Sequence, residues 1–465
     1  MINTLILKIR NIITLLFLLV LIGCSSISTS TEHYEEIDKF VDLELFDQAV
    51  VSLQKNQEDA YAEKDRVLFW IDLGLLQHYA YQDSLSINTL TLADNAIEEL
   101  FTTSVSKGVT SMVLNDNALD YSGEDYENLY INVFKALAYY RLGMSESALV
   151  EIRRLTEKFV ELEQKYQQEF RSLQESDDIK TDIEEISVNF YSSALAHYLS
   201  MILFFNDGAY DDARISRDKF YDAFDNQNEL YTFPKPNLDS FLAQSDKTRL
   251  SFVSFTGRAP LKYEYVFQID TFENLIILSV LENGRWKKFN TIPWYGVDGG
   301  LHAKFAVPKL MKRGSLVDKV EVVVDGLHKR DLYKIESLED IAFETFKREE
   351  GIIYLKSLAR TVTKAIANEA LNKELDKQTD GGDWGGLTRL LTGALINATE
   401  NADLRIAHYF PSFAYGGNVE IEPGVHNIEI VYKDRMNRII ATDKFDNYNV
   451  SKNNKIELFE TVFLK

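Results

Sequence analysis

The N-terminal half of the chain, residues 35–230, carries apolar residues at the three- and four-residue steps that are typical of amphipathic helices. Within residues 131–155 these positions are Phe134, Leu137, Tyr140, Leu149, Ile152 and Leu155. Gly143 lies between the two runs, where a tight turn between helices favours glycine. The pattern therefore predicts two helices joined by a short turn.

The same pattern recurs along the N-terminal half. Residues 194–224 repeat it around Gly208, residues 46–49 resemble the end of an earlier unit, and residues 65–100 resemble a degenerate one. Ala136, Tyr139 and Ala148 stand where a tetratricopeptide unit has its small and aromatic residues, so the segment resembles that repeat. We expect a tetratricopeptide-like array of helical hairpins over residues 35–230, with an ordinary helical bundle as the alternative.

A long insertion interrupts the array at about residues 150–185. Gly143 and Gly208 are 65 residues apart, whereas a standard unit has about 34 residues. Heptad-like apolar spacing through the insertion predicts a long helix that overshoots the array and returns along residues 182–206. Two interpretations remain open: a protruding hairpin that grips a partner, or a spacer packed on its own return helix.

The C-terminal half, residues 249–465, changes to the two-residue alternation of β-strands after a break at residues 231–237. Strand patterns occur on both sides of a helical insertion at about residues 338–400. The sequence therefore predicts an α+β protein, in which a β-sandwich-like domain with inserted helices follows the helical array. Strands from both sides of the insertion are expected to form one unit, and two separate β units are the alternative.

The first 24 residues predict export and lipid attachment. Lys8 and Arg10 precede an apolar run that ends in Leu-Ile-Gly-Cys at Cys24, as in a secretory signal peptide. The last four residues resemble the lipobox of bacterial lipoproteins. We therefore predict a signal peptide over residues 1–23, cleavage between Gly23 and Cys24, acylation of Cys24, and a polar tether over residues 24–34. Ser25 after the cysteine favours the outer membrane.

Composition excludes several functions. The chain has 465 residues and a net charge of −22, which argues against nucleic-acid binding and against polybasic attraction to a membrane. Cys24 is the single cysteine, so no intrachain disulfide forms. We expect no cofactor and no metal. Calcium at Asp120, Glu124 and Asp125 is a weaker interpretation than helix capping near Asp125, and close helix packing or a hinge explains the glycine-rich joint at 381–386 better than a nucleotide site.

Several segments together resemble an uncharacterised family of bacterial lipoproteins with tetratricopeptide-like N-terminal halves. They are the lipobox, residues 115–129, residues 135–155, residues 255–264 and residues 383–413. The matching positions are Gly257, Pro260, Lys262, Ala398, Thr399, Ala402, Asp403, Arg405 and Pro411. The resemblance implies an envelope location and this architecture, and it implies no activity.

The sequence favours a non-enzymatic, lipid-anchored envelope adaptor that binds protein partners through the helical surface, in envelope biogenesis. Its membrane partner is lipid through acylated Cys24, and its candidate contact residues are exposed aromatic side chains: Tyr121, Tyr126, Tyr139 and Tyr210. A cell-wall-modifying enzyme or its regulator, and a surface-displayed lipoprotein, are the alternatives.

Overall fold

The computed structural model describes residues 31–107, 116–175, 187–243, 245, 247–282, 284–379, 401–451 and 456–465. The predicted signal peptide, Gly23, Cys24 and most of the tether lie outside these residues. So do the glycine-rich joint, Ala398 and Thr399.

Within the described residues, the N-terminal half contains nine α-helices and the C-terminal half is dominated by strands, so the α+β prediction is confirmed. The helices of the N-terminal half are α1 Thr31–Asp42, α2 Phe46–Lys55, α3 Gln57–Ala60, α4 Arg66–Tyr79, α5 Asp83–Lys107, α6 Asp125–Arg141, α7 Ser145–Gln174, α8 Ala194–Asn206 and α9 Tyr210–Asn226. A tenth helix, α10 Leu338–Thr379, lies between the strands.

Four pairs of helices, α1/α2, α4/α5, α6/α7 and α8/α9, are joined by turns with the same geometry. In each turn one residue has a positive φ, and the next residue donates its main-chain N–H over 2.9 Å to the carbonyl five positions earlier. This hydrogen bond closes the end of the first helix, as in a Schellman turn. The positive-φ residues are Glu44, Tyr81, Gly143 and Gly208.

The second helix of each pair begins with an equivalent small residue at its contact with the first helix. Each lies five positions after the positive-φ residue and is fully buried: Ala49, Ser86, Ala148 and Ala213. In the second pair, a Cβ on Gly74 would lie 2.5 Å from Cδ2 of Leu90, because the two helices cross closely there. A buried small residue at this position is therefore common to all four pairs.

The strands form two sheets. The strands are β1 Thr248–Thr256, β2 Leu261–Phe272, β3 Leu275–Glu282, β4 Arg285–Pro293, β5 His302–Met311, β6 Lys319–Val324, β7 His328–Ser337, β8 Phe413–Ile421, β9 Gly424–Lys433, β10 Ile439–Val450 and β11 Ile456–Phe463. Seven strands pair in the order β10-β9-β6-β7-β8-β1-β11, and four in the order β4-β3-β2-β5.

The seven-stranded sheet combines strands from both sides of α10 and is nearly closed into a barrel. Its apolar side chains pack on one another in an interior core. The two end strands approach each other, because Phe459 on β11 contacts the rings of Phe445 and Tyr448 on β10 at 5.2 and 4.9 Å. The predicted sandwich is therefore corrected to a curled single sheet, since the inner face is covered by the sheet itself.

The four-stranded sheet is a separate layer and packs on α10. Phe267, Leu278 and Phe305 of the sheet share a core with Leu358 and Val362 of the helix. All four strands come from before α10 in the chain. The C-terminal half therefore has one sheet built from both flanks of the helix and one sheet built from a single flank.

The long helix α7 packs on its own return and on α10. Its Phe159 contacts the ring of Phe190, in the segment before α8, at 5.1 Å. Arg348 donates to Glu163 over 2.9 Å, and Tyr166 and Leu173 share a small core with Ile352. Residues 187–193 are not helical, so the returning helix α8 begins at Ala194. In the described part of the insertion, α7 therefore packs on its return, as the spacer interpretation expects, and its later part also covers α10. The partner-gripping interpretation stays a prediction. No described helix is long and apolar enough to cross a bilayer.

Candidate functional site

Residues 401–412 form an extended segment that lies against the first helices of the pairs. We call this segment the strap. Asp72 on α4 accepts the main-chain N–H of His408 over 2.7 Å, and Glu127 on α6 accepts that of Ala407 over 2.6 Å. The hydroxyl of Tyr79 donates to the carbonyl of Tyr409 over 2.8 Å. Side chains of the helices thus hold the strap by its main chain, as a groove holds an extended peptide.

Arg405 anchors the first part of the strap. Its guanidinium lies 2.8 Å from Oδ1 of Asp65 and 2.6 Å from Oδ2 of Asp403. It also donates to the carbonyls of Asp116 and Leu119. A planar guanidinium can serve several acceptors at once, so one side chain joins the strap to the loop before α6 and to the start of α4.

Three of the segments that carry the family resemblance meet around the strap. Lys262 forms a buried ion pair with Glu124. Glu124 and Glu127 lie at the start of α6, just after the loop whose carbonyls accept from Arg405. Gly257 has φ of +64°, and a Cβ there would lie 2.7 Å from Cβ of Ser315. The described parts of residues 115–129, 255–264 and 383–413 are therefore neighbours, joined by the bonds of Lys262 and Arg405.

Buried carboxyl groups in this region have raised pKa values. Burial raises the pKa of Asp72 to about 7, although the N–H of His408 and the hydroxyl of Tyr34 donate to it. Burial also raises the pKa of Glu124 and of Glu127. The Lys262 ammonium opposes the rise at Glu124. Shifts of this kind occur in active sites and in structural networks alike.

The ring of His408 completes the contact with α1. It stacks on Tyr34 with centroids 3.4 Å apart and planes 11° apart. Burial and the nearby Arg313 hold the pKa of His408 well below its usual range. The imidazole is therefore neutral at pH 7 and acts as a packing group.

Two further contacts bind the first helices to the seven-stranded sheet. Glu336 on β7 accepts from the Ser193 hydroxyl and the Leu195 N–H, both over 2.7 Å, and from the Tyr231 hydroxyl over 2.6 Å. Burial raises the pKa of Glu336 to about 7. At the other contact, Glu460 on β11 pairs with His78 over 2.6 Å and with Arg141 over 3.0 Å.

The candidate contact residues fall into two groups. Tyr121 and Tyr126 are buried, with 4% and 1% of their surface exposed, and Tyr121 donates to Glu127 over 2.7 Å. They cannot line an exposed surface, so that expectation is corrected for both residues. Tyr139 is half-buried and packs against the core, and Tyr210 is 51% exposed beside Phe205.

The three acidic residues weighed as calcium ligands face different partners. Asp120 pairs with Arg66, Glu124 with Lys262 and Asp125 with Lys165. Helix α6 begins at Asp125, where the main-chain N–H of Glu124 donates to Glu127 over 3.0 Å, so the capping interpretation is confirmed. Among the residues that the structure describes, no three His, Cys, Asp or Glu side chains are grouped so as to hold a metal ion.

Sequence reasoning missed Asp72, Glu127 and Glu336. A signal existed for Asp72, because it is the one charged residue within the apolar run 67–76, and a charge in such a run needs a buried partner. Nothing in the local pattern distinguished Glu127 or Glu336 from solvent-exposed acids. No known protein family, curated protein or solved structure significantly matches this chain.

Proposed function

We propose that this protein is a non-enzymatic, lipid-anchored adaptor of the bacterial cell envelope, attached to the outer membrane through acylated Cys24 and facing the periplasm. The proposed location is supported by the signal sequence and the lipobox. In this proposal the helix pairs form a tetratricopeptide-like array that binds envelope proteins, and the chain is a member of the lipoprotein family that it resembles.

The observation that best supports the array is the repeated turn. Four helix pairs share the same turn hydrogen bond and the same buried small residue five positions later. Repeated pairs of this kind stack through equivalent contacts and present equivalent positions on their outer faces. This regularity favours a repeat protein over a bundle of unrelated helices.

The inner side of the array is covered by the strap and the seven-stranded sheet, so partners are expected on the outer face of the second helices. Three second helices expose an apolar residue seven positions after the turn residue: Val51 at 64%, Val150 at 48% and Ile215 at 51%. The fourth helix has Asn88 there, and it is exposed. The equivalence of these positions supports one partner-binding surface.

The buried acids favour an adaptor over a wall-modifying enzyme. An acid or base must reach its substrate, whereas Asp72, Glu127 and Glu336 each accept a main-chain N–H within the fold. Their raised pKa values follow from burial at contacts between the two halves of the chain. They are therefore assigned to holding the halves together.

The test is an in-cell crosslink and pull-down from detergent-solubilised envelopes, with the natural protein, Cys24→Ala and the triple variant Val51→Ser, Val150→Ser, Ile215→Ser. We expect a recurrent envelope protein with the natural chain and its loss in both variants. A matched control replaces exposed apolar residues of the sheet region, Leu327→Ser and Met436→Ser, which are 80% and 74% exposed, and should keep the partner.

Other outcomes would point to other functions. If the purified protein cleaves wall polymer and no partner recurs, the protein is an enzyme and the adaptor proposal is wrong. If protease treatment of intact cells removes the protein, the protein is displayed on the cell surface and the periplasmic location is wrong.

A further inference from the structure

The β4 edge of the four-stranded sheet has an unusual composition for this chain. Strand β4 pairs only with β3 among the described strands. Its first six residues, 285–290, are all exposed. An edge strand exposed over this length presents its side chains to whatever lies beside the protein.

The exposed side chains of this edge are aromatic and basic. Trp286 and Phe289 on β4 are 39% and 52% exposed, and Tyr295 just after the strand is 71% exposed. Arg285, Lys287 and Lys288 lie among them, and Lys304 of β5 lies 5.2 Å above the Trp286 ring. We call these seven residues the β4 stripe. Lys287 pairs with Glu282 of β3 over 2.8 Å, so the net positive charge of the stripe comes from Arg285, Lys288 and Lys304, in a chain of net charge −22.

The backbone of β4 is poorly suited to pairing with another strand. The register with β3 shifts between Leu278 and Ser279, which places a bulge at Phe289. A bulge and outward lysines both disfavour the addition of a further strand to an edge. Contacts at this edge are therefore made by side chains.

Aromatic side chains next to lysine and arginine have a specific physical preference. Tryptophan and tyrosine rings are stabilised at the boundary between lipid headgroups and acyl chains, and basic residues are attracted to anionic headgroups. Surface-bound amphipathic segments combine both features. The charge and the chemistry of the β4 stripe thus complement an anionic bilayer surface.

We propose that the β4 stripe is a second membrane contact, which binds anionic phospholipid headgroups while the acyl chains on Cys24 hold the protein at the bilayer. The inference rests on the proposed lipid anchor for its biological setting. The seven residues from Cys24 to Ser30 span at most about 25 Å, so the anchor keeps the folded body close to lipid. A weak contact suffices at such a high effective concentration.

The contact is measured without the anchor, so that acyl chains do not mask it. Residues 25–465, which include every described element, are sedimented with vesicles of equal parts phosphatidylglycerol and phosphatidylcholine, and with vesicles of phosphatidylcholine alone. We expect binding to the anionic vesicles only, with weakening at high salt. Each basic residue neutralised should lower the partition coefficient about fivefold.

Two variants locate the contact. Arg285→Gln with Lys288→Gln should lower binding more than tenfold, and Trp286→Ala with Phe289→Ala should lower it at an unchanged salt dependence. The Arg285→Gln with Lys288→Gln variant should unfold at the urea concentration of the natural protein. Phe289 also packs on the buried Phe267 with ring centroids 5.2 Å apart, so the binding of the aromatic variant is measured where urea unfolding shows it fully folded. The matched control, Arg435→Gln with Met436→Ala, changes an exposed basic residue and an exposed apolar residue in the turn between β9 and β10 and should bind as the natural protein does.

Absence of binding to anionic vesicles overturns the inference, as does an equal loss in the control. If the stripe variants leave vesicle binding unchanged but remove an acidic protein partner from cells, the stripe is a protein contact and the membrane inference is wrong. None of these readouts needs acylation or the pull-down partner, so failure here is separate from failure of the proposed adaptor function.

Discussion

The main-chain N–H of His408 donates to Oδ1 of Asp72 over 2.7 Å and joins residues that are 336 positions apart in the chain. The same carboxyl accepts from the hydroxyl of Tyr34 over 2.9 Å. One side chain of α4 therefore holds the strap and α1 together. Asp72, Tyr34 and His408 are all buried. Without this carboxyl, the two donors would therefore have no water to bind in its place.

Replacement of Asp72 tests this junction. Asp72→Ala should lower the free energy of unfolding by about 2–4 kcal/mol, because two buried donors lose their acceptor. Asp72→Asn keeps one oxygen acceptor and should cost less than half as much. Urea unfolding measures both. A cost below about 0.5 kcal/mol for the alanine variant would contradict the assignment.

Stability should fall as the pH rises from about 5 to 8. Burial raises the pKa of Asp72 and of Glu336 to about 7 in the folded state, so between about pH 4 and pH 7 the folded chain binds more protons than the unfolded chain. Their favourable contribution is complete below the ordinary carboxyl pKa and is lost as the pH rises through 7. Urea unfolding at a series of pH values measures the decline.

Glu336→Gln provides the matched test of that decline. The amide cannot ionise, so the variant should lose one proton's share of the pH dependence, roughly 3 kcal/mol between pH 4 and pH 8. Glu58→Gln, a change at an exposed acid, should leave the curve unchanged. An unaltered slope in Glu336→Gln would show that this carboxyl does not carry the effect.

Below about pH 4 the trend should reverse. Although burial opposes ionisation of Asp403 and Glu460, the arginines beside them, Arg405 and Arg141, hold the pKa of both carboxyls below its usual range. Such groups contribute stability that is lost as the pH falls through their folded pKa. The unfolding free energy should therefore peak near pH 5, and a stability that did not fall below pH 4 would be inconsistent with these ion pairs.

Arg405 should be the most costly single residue of the strap to remove. Arg405→Ala leaves Asp65 and Asp403 without a buried cation, at a cost of about 3–5 kcal/mol. Arg405→Lys keeps the charge but serves fewer acceptors and should be intermediate. Thermal unfolding compares them with Arg435→Ala, whose side chain is 90% exposed and whose effect should be near zero.

The repeated turns predict opposite effects of two glycine exchanges. Gly143 has φ of +74° and open space around its Cα, so Gly143→Ala adds only backbone strain of about 1 kcal/mol. Glu44 has φ of +58° and is exposed, so Glu44→Gly should relieve a similar strain. Chemical denaturation would show one variant less stable and the other more stable. Equal signs would exclude a shared turn conformation.

The sequence predicted the elements better than the contacts. The apolar spacing located the helices around Gly143 and Gly208, and alternation located the strands at 263–269 and 428–432, because those periods record which face is buried. It could not show that the second unit, around Tyr81, uses the same turn, since a tyrosine at positive φ has no compositional signal. Turn geometry there is imposed by packing.

The strap was beyond prediction for a physical reason. Residues 401–412 have neither a helical nor a strand period, because their main chain bonds to side chains of distant helices and not to a ladder. Tyr121 and Tyr126 were expected on the surface because they flank an acidic loop. They are buried because the strap and α6 enclose that loop. Such long-range pairings leave no mark on local spacing.

The strap and β11 also determine when the fold can be completed. Phe134 of α6 packs on Phe410 and on Phe255 of β1, and β11 pairs in parallel with β1. Helices synthesised first must therefore keep an apolar groove uncovered until more than 300 further residues have been synthesised. Contacts between residues so distant in the chain form slowly. Until they form, an incomplete chain exposes apolar surface that promotes aggregation. The interval before β11 is made is therefore the period in which this chain is most prone to aggregation.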